Sequence, residues 1–219
     1  MYLLFDIGGT KTRVAASYDK KTIGEPKIFD TPKSFKSGVE LIAKTARELS
    51  GDTPIKAAAG GLPGPLDREK TMIINAPRFE SWFGKPFKSE LEKMINAPVY
   101  LENDAAVTGL GEAVYGAGMG KSIMVYMTVS TGVGGARIVD GKIDKNAMGF
   151  EPGHQIISLE TGGDLESSVS GSAIEKRFGK KPYEITDPKI WDELAKYLAY
   201  GLANTIVHWS PDIVVLGGS

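Results

Sequence analysis

The chain has 219 residues, of which 26 are basic and 27 acidic, and this balance gives no electrostatic reason to expect binding to nucleic acid or an anionic membrane. No apolar run reaches the ~20 residues of a membrane span, and the N-terminus lacks the pattern of a signal peptide. Cysteine is absent, which excludes disulfides and thiolate metal sites. We therefore expect a cytoplasmic protein, long enough for one large domain or two smaller lobes.

Apolar and amphipathic stretches alternate along the first hundred residues. Strands are predicted at 2–7, 12–17, 54–59 and 98–101, and helices at 35–49 and 87–95. Ser34 is the predicted N-cap of the first helix, and Gly51 is its stop. The run Gly60-Gly61-Leu62-Pro63-Gly64-Pro65 predicts a rigid turn, and residues 66–85 predict a hairpin and loop.

The second half of the chain repeats the strand–turn–strand pattern of the beginning. A helix at 105–115 is followed by strands at 122–128 and 133–139, helices near 167–178 and 188–208, and a buried strand at 213–216. The pattern predicts an α/β protein with two lobes facing a cleft. The expected N-terminal lobe is 1–103, and the expected C-terminal lobe is 104–219.

Two glycine turns that follow strand ends have the composition of phosphate loops. In Asp6-Ile7-Gly8-Gly9-Thr10-Lys11-Thr12, the glycines let backbone amides approach phosphate oxygens, and Asp6 is placed to hold Mg²⁺ through its waters. The second turn is Thr128-Val129-Ser130-Thr131-Gly132-Val133-Gly134-Gly135. Each turn alone also fits a plain β-hairpin, but one turn in each lobe favours a nucleotide triphosphate held between them.

Acidic groups at a strand end are candidates for catalysis. Glu102-Asn103-Asp104 follows a buried strand, where a carboxylate can accept the proton of a sugar hydroxyl as its oxygen attacks phosphorus. The alternative is that Asp104 caps the helix that follows.

The motif Glu151-Pro152-Gly153-His154 combines a carboxylate and an imidazole, which suit vicinal hydroxyls because they offer paired acceptors and a donor. A purely structural histidine fits the same pattern. Glu166 is either a further hydroxyl acceptor or an exposed surface acid.

Taken together, these motifs resemble the ROK (repressor/ORF/kinase) family of sugar kinases, glucokinases in particular. Six motifs match in order across nearly the whole chain: Asp6-Ile7-Gly8-Gly9-Thr10-Lys11-Thr12, Leu101-Glu102-Asn103-Asp104-Ala105-Ala106, Thr131-Gly132-Val133-Gly134-Gly135, Glu151-Pro152-Gly153-His154, Asp164-Leu165-Glu166 and Val215-Leu216-Gly217-Gly218. The resemblance implies the actin-like, ribonuclease-H-like ATPase fold, with ATP, Mg²⁺ and a hexose meeting in the cleft.

The resemblance also implies a role for each matching position. It makes Asp104 the catalytic base. The sugar would contact Gly61, Asn75, Asn103, Asp104, Glu151, His154 and Glu166. The phosphates and Mg²⁺ would face Asp6, Gly8, Gly9, Thr10, Lys11, Thr131 and Gly132, and the adenosine would face Gly217 and Gly218.

Three features depart from the family pattern. Many members bind a structural zinc through this histidine and three cysteines; here Asp164 stands in place of the last cysteine, so we expect no zinc. Ser130 replaces a glycine in the second phosphate loop. Family members also continue beyond the terminal Gly-Gly, so we expect the C-terminal helices of the fold to be missing, and a homodimer contact or a partner to cover the last strand.

Three hypotheses on function follow from these residues. The first is an ATP-dependent hexose kinase. The second is a sugar-responsive transcription regulator of the same family, although no basic helix is present. The third is a sugar-binding protein without catalysis. The residues leave the hexose open among glucose, mannose, fructose and N-acetylated hexosamines.

Overall fold

The described part of the chain is divided into two compact units. The computed structural model describes residues 1–75 and 79–218. One unit comprises Met1–Val107 with Ala147–Gly149, and the other comprises Thr108–Asn146 with the residues from Phe150 onward. The division into functional lobes after residue 103 stays a prediction.

The first unit is built on a five-stranded sheet in the order β3-β2-β1-β4-β5. Its strands are β1 (Tyr2–Ile7), β2 (Lys11–Ser17), β3 (Lys27–Asp30), β4 (Ala57–Leu62) and β5 (Val99–Asn103). Its helices are α1 (Phe35–Ser50), α2 (Phe87–Ile95) and the start of α3 (Asp104–Tyr115). β1 and β2 form an antiparallel hairpin, whereas β4 and β5 run parallel to β1. The carboxyl ends of β1, β4 and β5 therefore lie at one edge of the sheet.

An aromatic cluster joins the helices of this unit to its sheet. Trp82 and Phe87 are buried and stack with ring centroids 5.8 Å apart, and Phe35 meets Trp82 edge-on at 5.7 Å. α1 begins after Ser34, as predicted, although the Ser34 side chain makes no capping hydrogen bond. It ends at Gly51, whose φ of 50° favours glycine.

Gly60 and Gly61 belong to a strand, which corrects the first part of the turn predicted at 60–65; Pro63 and Gly64 bend the chain after it. β4 begins at Ala57 rather than at residue 54, and it continues through Gly60 and Gly61 to Leu62. A Cβ on Gly60 would lie 2.2 Å from Cδ2 of Phe5, so glycine is needed for the close approach of a side chain from β1. Adjacent glycines suit either a turn or a strand against which a neighbouring side chain packs, so the sequence pattern did not distinguish the two.

The second unit contains a four-stranded sheet in the order β8-β7-β6-β9. Its strands are β6 (Ile123–Val129), β7 (Val133–Val139), β8 (Lys142–Ile143) and β9 (Ile213–Gly218). Its helices are α4 (Leu165–Val169), α5 (Gly171–Phe178) and α6 (Pro188–Trp209), and it has short 3-10 turns at Pro152–His154 and Pro182–Glu184. β6 and β7 form an antiparallel hairpin, and β9 runs parallel to β6. Each unit thus combines a hairpin with a parallel neighbour of its first strand.

Two predictions for the second unit need correction. The helix expected near 167–178 is two helices, because Ser170 has extended backbone and its Oγ accepts from the Ala173 amide, which starts α5. The strand expected to be buried at 213–216 is in place but not buried. Among the described residues β9 pairs with β6 alone, at the edge of the sheet, and Leu216 is 49% exposed.

Within residues 1–75 and 79–218, no helix combines the length and the apolarity that a membrane span requires.

The tight packing of Trp82 on α1 leads to a prediction about two helical glycines. Gly38→Ala would place a Cβ 2.1 Å from Cζ2 of Trp82, whereas an alanine Cβ at Gly111 in α3 would meet nothing within 4 Å. We expect Gly111→Ala to stabilise the protein by about 0.5–1 kcal/mol, and Gly38→Ala to destabilise it by about 1–3 kcal/mol through overpacking. Urea unfolding of both variants checks this, and equal stabilisation by both would contradict the packing.

Candidate functional site

The first glycine turn is a closed hairpin with an exposed tip. Gly8 N–H donates to the Lys11 carbonyl at 2.9 Å, and the Gly8 carbonyl accepts from Thr31 Oγ1 at 2.7 Å. Gly9 and Thr10 are exposed, and a Cβ at Gly9 would meet nothing within 4 Å. The backbone at the tip is therefore open to an approaching anion without any change in the hairpin.

The charged groups of this turn are paired within the sheet. The Asp6 carboxylate accepts from Arg13 Nη1 at 3.0 Å, and Lys11 Nζ donates to Asp30 at 2.6 Å. The four side chains are about half exposed or more, so each pair contributes little to stability. A phosphate group at Lys11 would compete with Asp30 for the ammonium group.

Asn103 and Asp104 are held at the junction of β5 and α3. Asn103 Oδ1 accepts from the Ala106 amide at 3.1 Å, as an N-cap does, and its Nδ2 donates to the Gly64 carbonyl at 3.1 Å. Asp104 Oδ1 accepts from the Ala105 amide at 2.8 Å. The capping contact with the third residue of the helix is thus made by Asn103, not by Asp104 as the alternative prediction had it.

The surroundings of Asp104 raise the pKa of its carboxyl group. Partial burial raises the pKa of this carboxyl group, the Ala105 amide opposes the shift, and the negative charge of Asp6 raises the pKa further. Gly61 lies against the same residue, since a Cβ there would be 3.1 Å from Asp104 Cα. The packing brings a strand-end carboxyl group out of water and close to a second acid, which is a common arrangement at catalytic sites.

One contact beside Asp104 was missed by the sequence reasoning. Lys70 Nζ forms an ion pair with Glu102, and the Glu102 carboxylate also accepts from the Asn103 amide at 3.0 Å. Lys70 lies in the hairpin after β4, so its partner could not be read from spacing. Asn75 is described and exposed, but Ala76 and Pro77 of its motif lie outside the described residues.

The second glycine turn is bonded on one side to the helices of its own unit. Ser130 N–H donates to the Gly132 carbonyl at 2.9 Å and closes the turn. The Ser130 carbonyl accepts from Gly171 N–H at 2.7 Å, and the Thr131 carbonyl accepts from Ser172 Oγ at 2.7 Å. The carbonyl groups of Ser130 and Thr131 are thereby directed toward α5.

Glu166 is bound to this turn and is not the exposed surface acid that one reading predicted. It is partly buried, and its Oε2 accepts from the Val133 amide at 2.7 Å. A Cβ on Gly132 would lie 2.7 Å from the same oxygen, so glycine at 132 lets the carboxylate approach. One carboxylate oxygen of Glu166 is therefore engaged by the loop.

His154 is held by a carboxylate. Its Nδ1 lies 3.1 Å from Oδ2 of Asp164, the N-cap of α4. This hydrogen bond raises the pKa of His154, partial burial opposes the shift, and the charges of Glu151 and Glu166 raise the pKa further. Burial alone would raise the pKa of Asp164, but hydrogen bonds from Ser167 and His154 outweigh it and lower that pKa.

The terminal glycine pair lies beside the second turn. Gly217 pairs with Thr128 and Gly218 with Val129 in the parallel β6–β9 ladder. A Cβ on Gly218 would lie 1.8 Å from the Val129 carbonyl oxygen, and its φ of 138° also favours glycine. Gly217 lies against the Tyr126 side chain, since a Cβ there would be 2.3 Å from the tyrosine Oη, whereas Gly218 is exposed.

The structure thus gathers the candidate residues in two groups, one in each unit. The first group contains the tip of the first turn with Asp6, Gly61, Asn103 and Asp104. The second contains the second turn with Glu151, His154, Glu166, Gly217 and Gly218. Within residues 1–75 and 79–218, no cluster of three or more His, Asp or Glu side chains suits a metal ion by itself.

Comparison with known proteins identifies relatives of several kinds. The sequence is 30% identical to the glucokinase of Thermotoga maritima over 97% of this chain and 80% of that protein. It is 27% identical to the xylose repressor of Caldicellulosiruptor bescii over 91% of this chain and 58% of that protein.

Two solved structures match the whole fold. The ROK hexokinase of Thermus thermophilus superposes with a TM-score of 0.84 at 29% identity, covering 100% of this chain and 81% of that one. The ROK family glucokinase of Streptomyces griseus, solved with glucose and AMPPNP, gives a TM-score of 0.81 at 26% identity, covering 99% and 82%. The mixed α/β fold with two sheets is therefore the actin-like fold of ROK kinases, as expected.

The family assignment follows from the match to the whole sequence. The ROK family pattern covers residues 2–219, and this protein is a member of the ROK family.

Proposed function

We propose that the protein transfers the terminal phosphoryl group of ATP to a hydroxyl group of a hexose. The observation that carries this proposal is the carboxyl group of Asp104, which is partly buried, has a raised pKa and lies at the end of β5 next to Gly61 and Asn103. Support comes from the family and from its relatives that are named glucokinases. The structure of one such relative contains glucose and the ATP analogue AMPPNP.

Asp104 would act as the general base. The hydroxyl oxygen of the sugar forms a bond with the γ-phosphorus while its proton passes to the Asp104 carboxylate. The bond between that phosphorus and the bridging oxygen breaks, and ADP leaves. Partial burial makes this carboxylate a stronger base than an exposed aspartate, because the charged form is less well solvated.

The two glycine turns would bind the phosphates of ATP. At the first turn, Gly8, Gly9 and Thr10 offer backbone amides, and Lys11 exchanges Asp30 for a phosphate oxygen. At the second turn, Thr131 and Gly132 would do the same. The adenosine would face Gly217 and Gly218.

The residues present fit a magnesium ion that is held mainly by the nucleotide. Mg²⁺ is commonly bound by one or two carboxylates together with substrate phosphates, and Asp6 supplies a partly exposed carboxylate near Asp104. When bound, the ion would neutralise phosphate charge. Asp6 pairs with Arg13 and would share its carboxylate between the two cations.

Polar side chains in each group are candidates for contacts with the sugar. Asn103 is fixed by its hydrogen bonds to Gly64 and Ala106, and its position beside the base suits a hydroxyl contact. His154 is fixed through Nδ1, which leaves Nε2 to face a hydroxyl group. Further contacts are proposed for Gly61, Asn75, Glu151 and Glu166. A homodimer and a cytoplasmic location stay predictions.

A panel of hexoses tests the proposal directly. We expect ADP release, coupled to NADH oxidation, with at least one of glucose, mannose, fructose and N-acetylmannosamine, and no release without sugar. Binding of a sugar by calorimetry with no turnover in the presence of MgATP would instead favour the non-catalytic or regulatory hypothesis, which the resemblance to a xylose repressor keeps open.

Asp104→Asn should separate catalysis from folding. We expect kcat to fall by about 10²–10⁴-fold, since general base catalysis is lost, while sugar still binds. The raised pKa means that the folded protein binds the proton more tightly than the unfolded chain, so ionised Asp104 reduces stability as pH rises through that pKa. The neutral asparagine removes this cost, and Tm at pH 7 should equal or exceed that of the parent.

Asp192→Asn, at an exposed position of α6, is the control for this substitution. It should leave both kcat and Tm unchanged. If Asp104→Asn turned over at the parent rate, the role assigned to this carboxylate would be wrong.

The dependence of kcat/KM on pH should follow the ionisation of Asp104. We expect kcat/KM to rise with pH as Asp104 loses its proton, with a midpoint above the usual aspartate value of about 4. Asp6→Asn should move this midpoint to lower pH, because it removes a negative charge that raises the pKa. If kcat/KM did not fall at acid pH with a midpoint above the usual aspartate value of about 4, the role assigned to Asp104 would be contradicted.

A further inference from the structure

A short segment of the second unit contacts both the imidazole of His154 and the second glycine turn. We call residues 164–172 the bridging segment; it contains α4, Ser170 and the start of α5. Its first residue bonds to His154, and three later residues bond to the turn. Two parts of the proposed site, one for sugar and one for phosphate, are therefore connected by nine consecutive residues.

At the sugar end, the connection is the carboxylate of Asp164. Its Oδ2 lies 3.1 Å from His154 Nδ1, while its Oδ1 accepts from the Ser167 amide at 2.8 Å. The Ser167 hydroxyl in turn accepts from the Asp164 amide at 3.1 Å, which completes a capping box. The group that orients the imidazole is thus the same group that fixes the first turn of α4.

At the phosphate end, side-chain and backbone bonds hold the turn. Glu166 Oε2 accepts from Val133 N–H at 2.7 Å, and Gly171 N–H donates to the Ser130 carbonyl at 2.7 Å. Ser172 Oγ donates to the Thr131 carbonyl at 2.7 Å. Each of these bonds joins the bridging segment to a backbone group of the turn. A shift of the segment would therefore also shift the backbone of the turn.

Between its ends, the segment is packed into the core of the unit. Leu165 and Val169 are buried against Met127 and Val133, which flank the same turn on β6 and β7. A Cβ on Gly201 of α6 would lie 2.5 Å from a methyl carbon of Leu165, so α4 and α6 approach closely. Because the segment is closely packed, a displacement at one of its ends also displaces the other end.

We propose that Asp164 is a positioning residue through which a sugar at His154 and a nucleotide at the second turn strengthen each other's binding. This inference rests on the proposed function. A hydroxyl group bound at Nε2 restricts the imidazole and strengthens its bond to Asp164. The segment is then more ordered, and the turn loses less conformational entropy when it binds phosphate. By linkage, the nucleotide must improve sugar binding by the same factor.

Asp164→Asn tests this connection without removing the helix cap. Asparagine caps helices as well as aspartate does, but it lacks the negative charge that holds the imidazole. Asp187→Asn is the matched control, since Asp187 is the N-cap of α6 and its carboxylate accepts from Lys189 N–H. Both substitutions are the same chemical change at a helix cap, and only the first contacts His154.

The measurement is the Kd of AMPPNP with Mg²⁺ by calorimetry, with and without a saturating sugar. The sugar is the one that the parent binds best among glucose, mannose, fructose and N-acetylmannosamine. We expect the parent and Asp187→Asn to bind AMPPNP about tenfold more tightly when sugar is present. For Asp164→Asn, the ratio of the two Kd values should fall toward one, and sugar titrations with and without AMPPNP should give the same ratio.

Failure of the inference and failure of the proposed function give different results. A parent protein that binds no sugar overturns both. A parent that binds sugar and AMPPNP with a ratio that Asp164→Asn retains overturns the role of Asp164 alone. If Asp164→Asn does not fold by circular dichroism, Ser172→Ala replaces it, because loss of the Oγ bond to Thr131 should also reduce the ratio; an unchanged ratio there overturns the inference.

Discussion

The protein depends on a single constraint, the packing that removes the Asp104 carboxyl group from water at the end of β5. Asn103 caps α3, so that Asp104 becomes the first residue of the helix and not the cap. Gly61 on the neighbouring strand lies against Asp104, and a Cβ there would be 3.1 Å from Asp104 Cα. Because the charged form of a carboxyl group is poorly solvated there, its pKa is raised and it suits proton transfer.

The same architectural element occurs in both units, with different surroundings. Each unit joins an antiparallel hairpin to a parallel strand, and each hairpin carries a glycine turn. The tip of the first turn is exposed, with ion pairs at its base. The second turn is bonded to α4 and α5 through residues 164–172. The two proposed phosphate sites therefore differ in how firmly they are held.

A carboxylate holds the imidazole of His154 in the second unit. Asp164 Oδ2 lies 3.1 Å from His154 Nδ1, and the same side chain caps α4. A carboxylate partner orients the ring through one nitrogen and leaves the other for a ligand. One side chain therefore both orients the ring and starts the helix.

The sequence by itself determined the order and type of most elements, the family and the candidate residues, because periodicity and glycine motifs are local features. The hairpins at residues 2 and 122 and the helix at 87–95 follow from such patterns. Only the tertiary structure decided that Gly60 and Gly61 are strand residues, that Asn103 caps α3, and that Lys70, Asp164 and Glu166 bond to their partners. Those outcomes depend on contacts between residues distant in the chain. Phe5 packs against Gly60, the Gly64 carbonyl holds the Asn103 side chain that caps α3, and packing partly buries the Asp104 carboxyl group.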